Sequence, residues 1–220
     1  MGKLIVIEGL DGSGKHTQAE LLHDYLKSIN KSVKLVSFPD YESPSSSLVK
    51  MYLAGDFGKD ADSVNPYASS AFYAVDRFAS FRTKWQNFYE NGGIVIADRY
   101  TTSNAVHQCS KLPPEQWDDF LKWLSDFEYK YIGIPEPDIV IYLRTDTDVS
   151  QKLMSGRYKS DESKKDIHER DTEYLLRSQR SADYCAEKFG WHTIECTENG
   201  TMRTVENIAD EIKRFTNSHK

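Results

Sequence analysis

A short apolar run at residues 4–7 leads directly into Gly9-Leu10-Asp11-Gly12-Ser13-Gly14-Lys15, and a helical pattern begins at the lysine. This strand–loop–helix unit constrains the fold more than any other stretch. The G-x-x-x-x-G-K spacing in that setting is what a phosphate-binding loop needs. Glycines let backbone N–H groups curl around phosphate oxygens, and the helix N-terminus adds its partial positive charge. Lys15 then reaches the outer phosphates of a nucleoside triphosphate. His16 and Thr17 continue the candidate ATP contacts beyond the loop.

One position departs from the pattern. A hydroxyl that holds magnesium is expected after the lysine, but His16 stands there and the hydroxyl comes one residue later, at Thr17. Magnesium prefers oxygen donors, so imidazole is a poor ligand for it. His16 is therefore expected to contact phosphate or solvent. The metal must lean on carboxylates, for which Asp11 and Asp98 are the candidates.

Five apolar runs, at 4–7, 33–38, 94–97, 139–143 and 192–196, read as buried strands without strict polar alternation. That is the pattern of a parallel sheet covered on both faces. Helical patterns lie between them, at 15–29, 66–89, 117–131 and 172–189, and a last one at 205–215 closes the chain. In the first helix Leu21, Leu22, Tyr25, Leu26 and Ile29 are spaced for one face. The alternation predicts a three-layer α/β fold, a five-stranded parallel sheet flanked by helices. Its 220 residues suit a single domain, 1–220. Residues 42–47, rich in Ser and Pro, read as a loop. Residues 156–166, GRYKSDESKKD, bury little and read as mobile.

The third run ends in Asp98-Arg99-Tyr100. Ligands of parallel α/β sheets sit beyond the carboxyl ends of the strands, so Asp98 and Arg99 should face the same crevice as the loop. Arg99 can grip a phosphate through two parallel hydrogen bonds. Tyr73 and Arg77, four apart on the long helix, share a face, which suits either stacking on a base or ordinary packing. Phe78, Phe81, Trp85 and Phe88 form an aromatic stripe read as core or subunit interface. The net charge of −6 gives no basic excess for a nucleic acid polymer, so small nucleotides are the expected partners. Cys109, Cys185 and Cys196 show no C-x-x-C spacing and fit a reducing compartment. The first apolar run is too short for a signal or a membrane span, and cytoplasm is the default expectation.

Taken in order, these pieces resemble the thymidylate kinase family along nearly the whole chain. They are IEGLDGSGKHTQ at 7–18, FPDY at 38–41, FYAVDR at 72–77, DRYTTSNAVHQ at 98–108, PDIVIYL at 137–143 and DIHERDTEYL at 166–175. The resemblance implies a P-loop kinase fold, transfer of the γ-phosphoryl group of Mg-ATP to dTMP, and a homodimer. It implies that Tyr73 stacks on thymine, that Arg77 contacts a thymine carbonyl, and that Ser103 and Asn104 line the base pocket. Phe38 and Gln108 fall within matching motifs and join the expected dTMP contacts. Arg99 would bridge the two phosphates, Asp11 would lie near the sugar 3′-hydroxyl and the metal, and Tyr41 near the sugar and phosphate. Two departures stand out. Tyr41 replaces an arginine found in many members, and His107, near the deoxyribose, replaces a tyrosine.

The acceptor in such a reaction is a phosphate with a second pKa of about 6, so it needs no strong base. It needs cancellation of charge and alignment. Lys15, Arg99 and magnesium suit that task. The loop itself contains no arginine, so a basic lid at about 152–170 is expected to assist, with Arg157 the leading residue. Two rivals are a deoxynucleoside kinase, with Asp40 as base, and a nucleotide-sensing module of little turnover, for which His16 argues.

Overall fold

The computed structural model describes residues 1–157 and 172–219, with side chains described for 1–153 and 173–219. Five strands form one parallel sheet: β1 (Lys3–Glu8), β2 (Val33–Ser37), β3 (Ile94–Asp98), β4 (Ile139–Arg144) and β5 (His192–Glu195), in the order β2-β3-β1-β4-β5. All five expected runs are strands. A small antiparallel pair, β6 (Thr197–Glu198) and β7 (Thr201–Met202), follows and was not anticipated.

Alternate residues of β1 feed two cores. Ile5 and Ile7 pack with Leu22 and Leu26 of α1 (Lys15–Ser28) and with Ile208 and Ile212 of α9 (Val205–Ser218). Leu4 and Val6 pack on the other face with Phe81, Trp85 and Tyr100. Burying each such side chain is worth about 1.5–3 kcal/mol, which is why a strand with both faces covered carries no polar alternation. The first helix ends at Ser28, one residue early, and Ile29 is 38% exposed rather than part of the apolar face.

The long helix expected at 66–89 is three segments in line. These are α3 (Pro66–Ser80), a π-turn (Phe81–Trp85) and α4 (Gln86–Glu90). The stripe divides accordingly: Phe81 and Trp85 are buried, whereas Phe78 is 41% exposed. The expected helix at 117–131 is α6 (Trp117–Ser125) continued by a π-turn, Asp126–Ile132. The stretch read as a loop at 42–47 contains a 3-10 turn, Pro44–Ser46, which runs into α2 (Ser47–Ala54). Besides α2, two further unforeseen helices are α5 (Thr101–Cys109) and α7 (Thr147–Arg157). The expected lid at 152–170 begins within α7, and from 158 to 170 it lies outside the described residues. The last expected helix before β5, α8 (Thr172–Phe189), has the bounds anticipated. It packs along α5, where Cys109 and Cys185 share one buried cluster.

Candidate active site

The connection leaving β1 runs to β2 on one side and the connection leaving β3 runs to β4 on the other, so the direction switches between these adjacent strands. The crevice beyond the carboxyl ends of β1 and β3 is therefore the natural ligand site of this sheet. Glu8 ends β1 and Asp98 ends β3.

The loop after β1 has little room. A side chain at Gly9 would put its Cβ 2.5 Å from Ser13 Oγ, and one at Gly12 would meet the Ser150 carbonyl of α7 at 2.8 Å with φ already at +83°. Ser13 N donates to Leu10 O at 3.2 Å and closes the turn. Lys15 Nζ folds over the loop, 3.4 Å from Leu10 O and 3.2 Å from Asp11 Oδ1. Thr17 is exposed.

Arg99 reaches the same Asp11 oxygen from the other side. Its Nη2 donates to Asp11 Oδ1, and its Nη1 lies 3.3 Å from both Ser103 Oγ and His107 Nε2 and 3.7 Å from Glu8 Oε1. Its backbone is left-handed, φ +65°, with its N–H on Ile7 O at 3.1 Å. Burial alone would raise the Asp11 carboxyl, but the Arg99 and Lys15 charges outweigh it and hold the group well below the usual carboxylate range. Burial would likewise lower Arg99, and the Asp11 and Glu8 charges reverse that. Lys15 is pulled below its usual value by burial and by Arg99, against the opposing Asp11. Half-exposed Tyr41 is close enough to add to the field at Arg99.

Glu8, to which the sequence reading gave no role, organises the start of α5. It accepts from Thr102 Oγ1 at 2.5 Å, from Ser103 Oγ at 2.8 Å and from Gly9 N at 2.9 Å. Asp98 is tied to other partners, His16 Nδ1 at 2.9 Å and Ser37 Oγ at 3.2 Å. His16, with a side chain 62% exposed, thus contacts the candidate metal carboxylate in addition to facing solvent. Asp98 Oδ1 is buried and accepts no hydrogen bond among the described residues. The two candidate metal carboxylates are therefore held in different networks.

Arg77 is buried, and its counter-ion is Glu128 on the π-turn that continues α6. Nε donates to Glu128 Oε2 at 2.7 Å, Nη2 donates to Oε1, and Nη1 donates to Tyr100 O at 3.3 Å. Burial would lower the guanidinium, and Glu128 overrides it. Asn104 Nδ2 donates to the same Glu128 Oε1 at 2.9 Å and to Ser70 O at 3.1 Å. Gln108 lies buried one turn on, its Oε1 accepting from Ser69 Oγ at 2.7 Å. Lys111 donates to that Ser69 Oγ at 3.3 Å and to Tyr52 OH at 2.8 Å, and burial pushes its ammonium down to about 7. Tyr73 stands edge-on to Tyr52, with ring centroids 6.3 Å apart. Phe38 packs in the core against Tyr100, beside the cis Phe38–Pro39 peptide. Glu8 and Glu128 escaped the sequence reading because a lone glutamate in an apolar run or on a helix carries no spacing signal.

A glycine loop with its lysine, joined through one carboxylate to an arginine at the next strand end, defines a phosphotransferase of the P-loop class. The thymidylate kinase family model matches residues 7–208. A thymidylate kinase of Mycobacterium tuberculosis is 32% identical over 177 residues, 80% of this chain and 81% of that one. One of Caenorhabditis elegans is 33% identical over 168 residues, 71% and 67% of the two chains. The thymidylate kinase structure from Candida albicans has a TM-score of 0.73 at 22% identity, covers 99% of this chain and 93% of that one, and shares the fold. The chain belongs to the thymidylate kinase family.

Proposed function

We propose that the protein transfers the γ-phosphoryl group of ATP to dTMP, giving ADP and dTDP for dTTP synthesis. The observation that carries the choice of base is the Glu128 anchor. Because Asn104 faces a carboxylate and a carbonyl, both amide hydrogens are committed there, and the atom it offers elsewhere is the acceptor Oδ1. Arg77 offers only donors. A donor beside an acceptor matches the 4-carbonyl and the N3–H of thymine and mismatches the amine and bare N3 of cytosine. Tyr73 supplies an aromatic face for the same ring, and Ser103 and Gln108 lie on the α5 turns around Asn104.

Lys15 and Arg99 offset repulsion between the two phosphate groups, and the acceptor, largely dianionic at neutral pH, attacks without a general base. Asp11 keeps the two cations together until phosphates draw them apart. Asp98, an oxygen donor with an orphaned buried Oδ1, suits magnesium. Asp11, already engaged by two cations, suits a place beside the phosphates better than a metal position. Magnesium, when bound, neutralises charge on the outer phosphates of ATP. Arg157, whose side chain lies outside the described residues, is the proposed arginine of the lid.

The deoxynucleoside kinase reading needs Asp40 as base, but Asp40 is paired with Lys84, and its backbone N–H donates to Asp76 at 2.7 Å. A sensor of little turnover is disfavoured by the intact Lys15–Asp11–Arg99 cluster. Two further proposals go with the reading. The outer face of α3, where Val75 is 50% and Phe78 41% exposed, forms a homodimer interface. The protein acts on small nucleotides in the cytoplasm; no helix among the described residues is long and apolar enough to cross a membrane. A coupled ADP-release assay across dTMP, dUMP, dCMP, dAMP, UMP and thymidine tests the activity. The highest kcat/KM is expected for dTMP. A better result with thymidine or with a purine monophosphate, or no ADP release stimulated by any acceptor, rejects it.

A further inference from the structure

Glu8 is a buried carboxylate at the end of β1, between the glycine loop and the start of α5. Its Oε1 accepts from Gly9 N at 2.9 Å. Its Oε2 accepts from Thr102 Oγ1 at 2.5 Å and from Ser103 Oγ at 2.8 Å. A carboxylate only accepts, so the single hydrogen of the Ser103 hydroxyl points inward to it. What Ser103 Oγ shows to Arg99 is then a lone pair, and Arg99 Nη1 donates into it at 3.3 Å. Glu8 Oε1 lies 3.7 Å from the same Nη1. The two ends of the guanidinium therefore have different surroundings. Nη1 faces Ser103, Glu8 and His107, whose ring stacks on Tyr174 of α8. Nη2 faces Asp11. The Glu8 side chain is 1% exposed and that of Asp11 28%, so Nη2 is the end that opens to the crevice.

We propose that Glu8 is a positioning residue for phosphoryl transfer: through the Ser103 hydroxyl it holds the Nη1 end of Arg99 in place while Nη2 leaves Asp11 for the phosphates. The inference rests on the reading of Arg99 as a phosphate contact. A serine on a helix commonly turns its hydroxyl back onto a backbone carbonyl of the preceding turn. Glu8 outcompetes that alternative and keeps Ser103 Oγ turned to Arg99. Once phosphates draw Nη2 away, Asp11 no longer fixes the arginine, and the buried contacts of Nη1 set its aim. The same carboxylate holds Gly9 N, so one group registers the first residue of the donor loop against the arginine of the acceptor side.

Glu8→Met removes both carboxylate oxygens at similar size, whereas Glu8→Gln keeps one oxygen for Ser103. At saturating ATP and dTMP, Glu8→Met is expected to lose about 10-fold in kcat with KM for dTMP changed less than about 2-fold, and Glu8→Gln to stay within about 3-fold of the wild type. Thr102→Val removes a hydroxyl that Glu8 also holds but that has no bond to Arg99 among the described residues, and should keep kcat within about 2-fold. In a Ser103→Ala background, Glu8→Met should cost no more than about 2-fold further. Nitrogen NMR of the Arg99 guanidinium, assigned with Arg99→Lys, is expected to show slow rotation in the wild type and faster rotation in Glu8→Met and Ser103→Ala. The proposal is overturned by a Glu8→Met loss confined to KM or absent, by Glu8→Gln as slow as Glu8→Met, or by an equal loss in Thr102→Val. An equal Glu8→Met loss in both Ser103 backgrounds, or a rotation rate indifferent to Ser103→Ala, overturns it as well. Should Glu8→Met fail to fold, Glu8→Gln with Ser103→Ala decides through the rotation rate. The spectra do not depend on turnover. A wild type without dTMP-dependent activity but with the expected rotation rates rejects the reading of function and leaves the tether from Glu8 through Ser103 to Arg99 standing.

Discussion

Asp11 Oδ1 accepts from Lys15 and Arg99 at once, and the charge balance of the site depends on it. Asp11→Asn leaves two neighbouring cations without their shared counter-ion. Turnover is expected to fall on the order of 10²-fold, because both cations lose their aim, with a smaller change in ATP affinity; steady-state kinetics with both substrates varied checks this. The same group links stability to pH. Its carboxyl titrates below the ordinary value of 3.8, so its stabilising contribution is complete above that value and is lost as pH falls through and below it. Asp11→Asn should therefore flatten the acid limb of the stability curve and leave the limb above pH 5 with the same slope, as read by urea melts at stepped pH. His16 belongs to this scale too. The sequence marks it as a departure from the expected hydroxyl, but only the fold places its Nδ1 on Asp98.

Among the elements, α5 explains most of what the sequence did not reveal. Hydrophobic periodicity exposes a helix whose buried face is apolar. The buried face of α5 includes Thr102, Asn104 and Gln108, satisfied by Glu8, by Glu128 with Ser70, and by Ser69. A polar face stabilised by hydrogen bonds has no period to detect. The strands were legible because both their faces are apolar. The loop, Asp98-Arg99 and the Tyr73/Arg77 spacing were legible because their chemistry is local. Glu128 was not, since its partner Arg77 lies 51 residues away. The π-turn beneath Glu128 brings that carboxylate to α3 and α5 together, as such turns often do at functional sites. Glu128→Gln strands a buried guanidinium and is expected to cost about 3–5 kcal/mol of unfolding free energy, measured by urea denaturation. It also frees Asn104 to turn its amide, so discrimination between dTMP and dCMP should fall in the same variant.

For the whole molecule, the switch of direction between β1 and β3 puts the glycine loop and the Asp98-Arg99 strand end on one rim of the sheet. The long α3 serves that rim with Arg77 on one side and shows Val75 and Phe78 on the other. The aromatic stripe of the sequence therefore divides into buried and exposed members that spacing alone did not separate. Phe81 and Trp85 are core, and Phe78 is exposed, on the face proposed for a partner copy. Val75→Glu combined with Phe78→Glu is expected to give a monomer in sedimentation-velocity runs, with the secondary structure intact by circular dichroism. A dimer that persists would place the interface elsewhere.

The buried pair Cys109 and Cys185 has a consequence for how motion here can be observed. Both sulfurs lie sealed between α5 and α8, and the hydrogen bond to Cys185, together with burial, pushes the Cys109 thiol up. Only a thiolate reacts with an alkylating reagent, so the closed molecule is inert at this seam. Modification proceeds through the brief moments when the two helices part, and its rate counts those moments. The helices concerned are the ones that carry His107 and Tyr174. The chain thus holds a native chemical clock for the breathing of the seam between α5 and α8.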